Sequence, residues 1–239
     1  MGIQITNGFS ITKNAAAAPV GGLQAYFQTA PSSGTNWTDA SGNNKNATIY
    51  GTFSYVSNNG GGIKLQNSSY TGDAYISVPY NFTKNTLTVE IVASFNPTSF
   101  WSTIWGNDSY FSNKGFFAYM TSSTSITYGA PNYAATKTIT ASNAIRHWIF
   151  VINGTTQDLY LNGSQIGTTD SVTAQTNFHD QNLFFGARHA NNGLGATDKL
   201  NSNISANQPV FYQMRVYDKA LSSSEVTTNF NEIKSQYGL

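Results

Sequence analysis

Glu90 lies in an alternating run from Thr86 to Ser94 and is the only carboxylate there, so the two flanking acids that glycosidic cleavage requires are not found together on that strand. The three histidines, His147, His179 and His189, stand in no serine or cysteine nucleophile motif. No two of them have the spacing at which one helix or hairpin would hold a metal. The chain has no cysteine, which excludes thiolate sites and disulfides. No residue is therefore assigned a catalytic role.

Binding chemistry is better represented. A glycan site typically lays an aromatic ring against the C–H surface of a sugar while amides, carboxylates and Arg hydrogen-bond its hydroxyls. Trp101, Trp105, Asp108 and Tyr110 bring those residue types into one short stretch, and Arg188 with His189 offers a second polar loop. The competing reading buries Trp101 and Trp105 in a core, since their neighbours alternate with them in polarity. Asp39 and Asn43, with Asn44, form an oxygen-rich turn that suits calcium, a cation that prefers oxygen ligands. Asp and Asn are equally at home in turns because they hydrogen-bond their own backbone. Calcium is the one cofactor left open, and no other is expected.

The elements that must position these residues are strands. Leu87, Val89, Ile91, Ala93 and Phe95 share one face of the run around Glu90, while Thr88, Glu90, Val92 and Ser94 share the other, which is expected to be the less buried. Trp148 to Ile152 runs into Asn153-Gly154, and Leu159 to Leu161 runs into Asn162-Gly163, dipeptides that favour tight hairpins; together they predict a three-stranded meander. Further strands are expected at 115–120, 182–187 and 210–217. One short C-terminal helix is expected, with Ser222 and Glu225 as a capping box, Leu221 and Val226 as its staple, and Val226, Phe230 and Ile233 facing inward. The fold class is all-β: two antiparallel sheets stacked as a sandwich.

Composition agrees. Hydrophobic residues are 39% and charged residues only 10%, enough apolar surface for a core without metal or disulfide support. Twelve basic against eleven acidic residues, thinly spread, leave no stripe to track phosphates, so nucleic acid is not an expected partner. No stretch is apolar enough to insert into a membrane, and the first residues lack the pattern of a secretory signal. Ile3, Ile5, Phe9 and Ile11 alternate ahead of a run of alanines and Pro19. Residues 1–20 are therefore expected to form an attachment arm and linker, and 21–239 one domain.

Four motifs appear in order: Trp37-Thr38-Asp39-Ala40-Ser41-Gly42-Asn43; Tyr75-Ile76-Ser77-Val78-Pro79; Arg146 to Val151 answered by Asp158 to Gly167; and Phe211 to Ser222. Together they resemble the laminin-G-like branch of the concanavalin A-like lectin/glucanase superfamily. The resemblance implies a jelly roll and no single function, because the superfamily holds lectins, glycan hydrolases, adhesion modules and structural domains. Its hydrolases carry a Glu-x-Asp-x-x-Glu type pattern, and Val92 and Phe95 stand where the partners of Glu90 would be.

Three functions follow in order of expectation. The first is a non-enzymatic virion structural or capsid decoration protein that presents the lectin-like module and attaches through residues 1–18, an extended segment able to add to a partner's sheet edge. The opening is similar to the starts of some tailed-phage structural proteins. The second is a carbohydrate-binding lectin for surface glycans, and the third a glycan hydrolase. The expected location is a virion surface or the extracellular space.

Overall fold

The computed structural model describes residues 20–66, 74–95, 102–107, 114–130, 134–175, 178, 182–189, 196–199 and 208–239. In chain order its strands are β1 (Leu23–Phe27), β2 (Asn36–Trp37), β3 (Ala47–Tyr50), β4 (Phe53–Val56), β5 (Gly62–Leu65), β6 (Tyr75–Val78), β7 (Thr86–Ser94), β8 (Ser102–Gly106), β9 (Phe117–Ser122), β10 (Ser125–Gly129), β11 (Ala135–Thr138), β12 (Arg146–Asn153), β13 (Thr156–Leu161), β14 (Ser164–Gln165), β15 (Asp170–Ser171), β16 (Leu183–Phe185), β17 (Ala187–His189), β18 (Ala196–Lys199) and β19 (Val210–Tyr217). Helix α1 (Ser223–Tyr237) follows.

These form two antiparallel sheets and a separate β17–β18 pair. The nine-stranded sheet runs β14-β13-β12-β7-β19-β5-β4, with β1 on β19 and β15 on β13, and the eight-stranded sheet runs β11-β10-β9-β8-β16-β6-β3-β2. This is the two-sheet sandwich with one C-terminal helix that the periodicity predicts. The expected meander is β12-β13-β14. Its second turn is Asn162-Gly163, both at positive φ, whereas the first centres one residue later than the dipeptide suggests, on Gly154 and Thr155.

The core lies between the inner faces. Leu87, Val89, Ile91 and Ala93 of β7 meet the eight-stranded sheet, and the rings of Phe95 and Trp148 stack at 4.9 Å. The outer face of β7 departs from expectation, because Thr88, Glu90 and Val92 are buried as fully as the inner set. The cause is α1, which lies across them.

The capping box forms as predicted: Glu225 N–H donates to Ser222 Oγ, and Ser222 N–H donates to the Glu225 carboxylate. Buried Val226, Asn229, Ile233 and Tyr237 turn inward, while Phe230 stacks on His147 with ring centroids 5.9 Å apart. One apolar cluster joins Val226 and Leu221 to Ile149, Val151, Tyr160 and Tyr217; another joins Ile233 and Tyr237 to Val92, Val210 and Tyr212. Between them sits Glu90. Its Oε1 accepts from His147 Nε2 at 3.0 Å and Arg215 NH1 at 3.4 Å, and its Oε2 from Asn229 Nδ2 at 2.7 Å and Tyr217 OH at 3.2 Å. Arg215 NH2 continues to Tyr26 OH at 3.0 Å and the Glu232 carboxylate at 3.1 Å.

The same face fixes the chain between β19 and α1. Thr88 Oγ1 donates to Lys219 O and accepts from Leu221 N–H, at 2.8 and 3.0 Å. Asp218 N–H donates to Gly22 O at 3.0 Å. On the far side, Gly163 lies so close beneath α1 that an added Cβ would stand 2.6 Å from Phe230 Cδ1.

Burial pushes the Glu90 carboxyl up, but the Arg215 guanidinium and the His147 and Asn229 hydrogen bonds outweigh it, leaving the group at about 2 against an ordinary 4.5. A depressed carboxylate stabilises the fold above its unfolded pKa and loses that contribution as pH falls through the folded one. Acid titration followed by circular dichroism is thus expected to show stability falling between pH 4.5 and 2, by on the order of 3 kcal/mol from this group. Glu90→Gln should flatten that limb and cost roughly 3–5 kcal/mol at neutral pH, because the buried Arg215 is left with only the partly exposed Glu232 as counter-charge.

Candidate functional site

At the end of the sandwich where β1, the β2–β3 connection, the β6–β7 connection and the β19–α1 corner meet, a cleft of about 240 Å³ opens. That volume is room for about eight waters or one small ligand group. Gln24, Lys45, Tyr80, Asn81, Phe82, Thr83, Lys84, Thr86 and Asp218 line it, brought together from four separate stretches of the chain.

Each wall has its own anchor. Asp39 organises the β2–β3 connection: Oδ1 accepts from Tyr26 N–H and Ser41 N–H at 2.9 and 2.8 Å, and Oδ2 from Ser41 Oγ and Lys45 N–H at 2.8 and 2.9 Å. Asn43 Nδ2 ties the turn to β1 by donating to Leu23 O and Gln24 O, both at 3.1 Å. Asn44, with φ of 56°, leads the chain into Lys45. The β6–β7 wall ends at Asn85, which exchanges two hydrogen bonds with the Gln175 backbone at 2.7 and 2.8 Å. Thr88 holds the third wall by the corner that carries Asp218. Phe82 forms the floor, edge-on to Tyr80, Trp105 and Phe116 at 5.3, 6.2 and 5.9 Å.

The polar groups have distinct characters. Lys45 Nζ stands 5.2 Å from the centroid of the Tyr80 ring. Lys84 Nζ and Asp218 Oδ2 are 3.4 Å apart in an exposed pair. Burial, and then the Asp218 charge, push the Tyr80 phenol up to about 12, so it stays a neutral hydroxyl at ordinary pH. Ammonium, phenol and amide donors face one carboxylate and amide acceptors, a set suited to hydroxyl-rich ligands. A larger depression of about 540 Å³ lies between Thr29–Ser32 and Tyr55–Gly61, but Tyr55 is its only ionisable lining residue, and the Tyr55 hydroxyl donates to Gly34 O.

The residues singled out from sequence fall elsewhere. Trp105 is a core residue, correcting its reading as a sugar platform: the β8 backbone turns its ring inward onto Phe82 and Phe150, and it reaches the cleft only by supporting Phe82. Arg188 is likewise buried, its guanidinium 5.5 Å from the centroids of both Phe117 and Tyr119. Gly186, with φ of 79°, separates β16 from β17, and Arg188 of β17 packs on those rings and not in solvent. His189 belongs to β17, and nothing is described of its side chain; Trp101, Asp108 and Tyr110 lie outside the described residues, as do His179 and residues 193–195. Asp39 and Asn43 do come together, in a turn whose carboxylate already accepts four protein donors. Calcium there would have to displace at least one of them.

Residues 51–227 match the laminin-G-type profile described as the concanavalin A-like lectin/glucanases superfamily. The chain belongs to that superfamily. The Asp39 turn, Gln24 and Lys45 precede the matched segment, whereas Tyr80, Lys84, Glu90 and Asp218 fall within it. No curated protein matches the sequence. Among solved structures, the chain is similar to the binding domain of Paraclostridial mosquitocidal protein 1, with TM-score 0.64, 18% identity, and 88% of this chain covering 52% of that one. It is also similar to the binding domain of botulinum neurotoxin DC in complex with rat synaptotagmin II (0.66, 16%, 89% and 52%). A third is a type C botulinum neurotoxin structure whose cell entry is described as dependent on two ganglioside molecules (0.65, 15%, 89% and 51%). The chain spans about half the length of each, so these likenesses establish the fold and leave what those proteins bind unassigned to the shared half.

Burial raises the Asp39 carboxyl, but the Lys45, Ser41 and Tyr26 amides outweigh it and hold it below its usual value. Asp39→Ala is expected to cost roughly 2–3 kcal/mol by chemical denaturation, since charge-accepting hydrogen bonds disappear together. The melting midpoint of the unaltered chain should be the same in calcium and in chelator, the result expected if the turn is complete without a cation.

Proposed function

We propose that the chain is a non-enzymatic glycan-binding module whose ligand seats in the cleft formed by Gln24, Lys45, Tyr80, Lys84 and Asp218. The observation that carries this reading is the cleft itself, with its donors, its one carboxylate and its aromatic floor held by Asp39, Asn85 and Thr88. Membership of the lectin/glucanases superfamily supports it, and the solved neighbours named above include binding domains. Support for the non-enzymatic half comes from Glu90, which is 1% exposed with both oxygens taken by protein donors.

The same proposal has the module presented at a virion surface or outside a cell, attached to a structural partner through residues 1–18. It is favoured by the start of β1 at Leu23, just after Gly21-Gly22, and by the closure of the domain there through the Asp218–Gly22 hydrogen bond.

A glycan panel read by direct binding is expected to give at least one ligand for the intact chain, with no product released from it. Asp218→Ala should weaken that ligand about tenfold or more, the equivalent of one charge-assisted hydrogen bond, and Tyr80→Ala should abolish binding. A panel with no ligand sinks the reading. Deletion of residues 1–18 should leave glycan binding and the melting midpoint unchanged while abolishing incorporation into the assembly; unimpaired incorporation would count against the arm.

A further inference from the structure

We infer that the ligand of this cleft carries an anionic group, a sugar carboxylate or sulfate ester, that seats against Lys45 with Lys84 as its second cation. The inference rests on the glycan reading of the cleft and adds the charge of the ligand to it. Lys45 and Lys84 line the cleft with a single carboxylate, Asp218, so the wall has a net positive charge in a chain that is nearly neutral overall. Tyr80 does not offset it, being a neutral phenol at ordinary pH.

The two lysines are held differently. Among the described residues no carboxylate lies within 4 Å of Lys45 Nζ; its neighbour is the Tyr80 ring, and the Asp39 turn fixes its backbone at the cleft wall. It is therefore a pre-positioned cation with no ion-pair partner among the described residues. Lys84 has a counter-charge in Asp218 at 3.4 Å, but the Lys84 side chain is 61% exposed and Asp218 is also open to water. Such pairs are weak and exchange readily for a better anion. Asp218 accepts hydrogen bonds from hydroxyls, so the cleft offers two kinds of partner, the two ammonium groups for an anion and the one carboxylate for hydroxyls. A neutral sugar would use the second and leave the first unmatched.

The test is calorimetric titration of the full chain with uronate-containing and sulfated oligosaccharides, each paired with its carboxyl-reduced or desulfated neutral counterpart. The expected result is an acidic member that binds at least tenfold more tightly than its counterpart, weakens as salt is raised, and loses fivefold or more in Lys45→Gln. Lys234→Gln, on the last turn of α1 and outside the cleft, removes the same net charge and should leave affinity unchanged; a loss there equal to that of Lys45→Gln would overturn the inference in favour of diffuse attraction. Equal binding of acidic and neutral members, lost in Tyr80→Ala but indifferent to Lys45→Gln, overturns the anionic ligand and preserves the glycan reading. No binding by any member overturns both. Melting curves of Lys45→Gln that overlay the unaltered chain secure the comparison.

Discussion

A carboxylate taken out of water must be matched where it lies, and the burial of Glu90 sets terms for everything around it. Four donors reach it from three different elements: His147 on β12, Arg215 and Tyr217 on β19, and Asn229 on α1. The two strands flanking β7 and the helix above it are thereby locked to one point. Apolar clusters on either side supply the bulk of the docking surface and are tolerant of orientation. The charge in the middle admits one arrangement of partners, which gives the helix its register on the sheet.

A second pair of opposite charges in the same chain has the contrary character. Lys84 and Asp218 both line the cleft and are open to solvent, so water competes for both. The Glu90 network is closed off from water and the Lys84–Asp218 pair stands open to it, though the residue chemistry is nearly the same. Solvent access separates them, and α1 controls that access on one side while its preceding corner shapes the cleft on the other.

Local signals in the sequence predicted local structure well. The alternation of Leu87 to Phe95, the turn at Asn162-Gly163 and the Ser222–Glu225 box each depend on neighbours within a few residues, and each forms. The outer face of β7 is more buried than its alternation implies because its cover arrives from a helix about 140 residues later, and periodicity carries no information about what lies above a sheet. Trp105 and Arg188 have the composition of a binding surface, yet both are buried against aromatic rings of the fold, which residue type alone does not reveal. The cleft was missed for the complementary reason. Gln24, Lys45, Tyr80 and Asp218 come from four distant segments, and the local signal beside them is the Asp39 turn, which fixes the Lys45 backbone.

Gly163 shows how much can hang on an atom that is not there. Its bare α-carbon lets Phe230 descend onto the hairpin, and Phe230 in that position lies flat on the imidazole of His147, whose other edge bonds Glu90. A single methyl at Gly163 would act as a spacer, lifting the helix by its aromatic foot and letting the solvent dielectric in beside the buried ions. The aromatic cover over the His147 edge of the network thus depends on a turn position that carries no side chain.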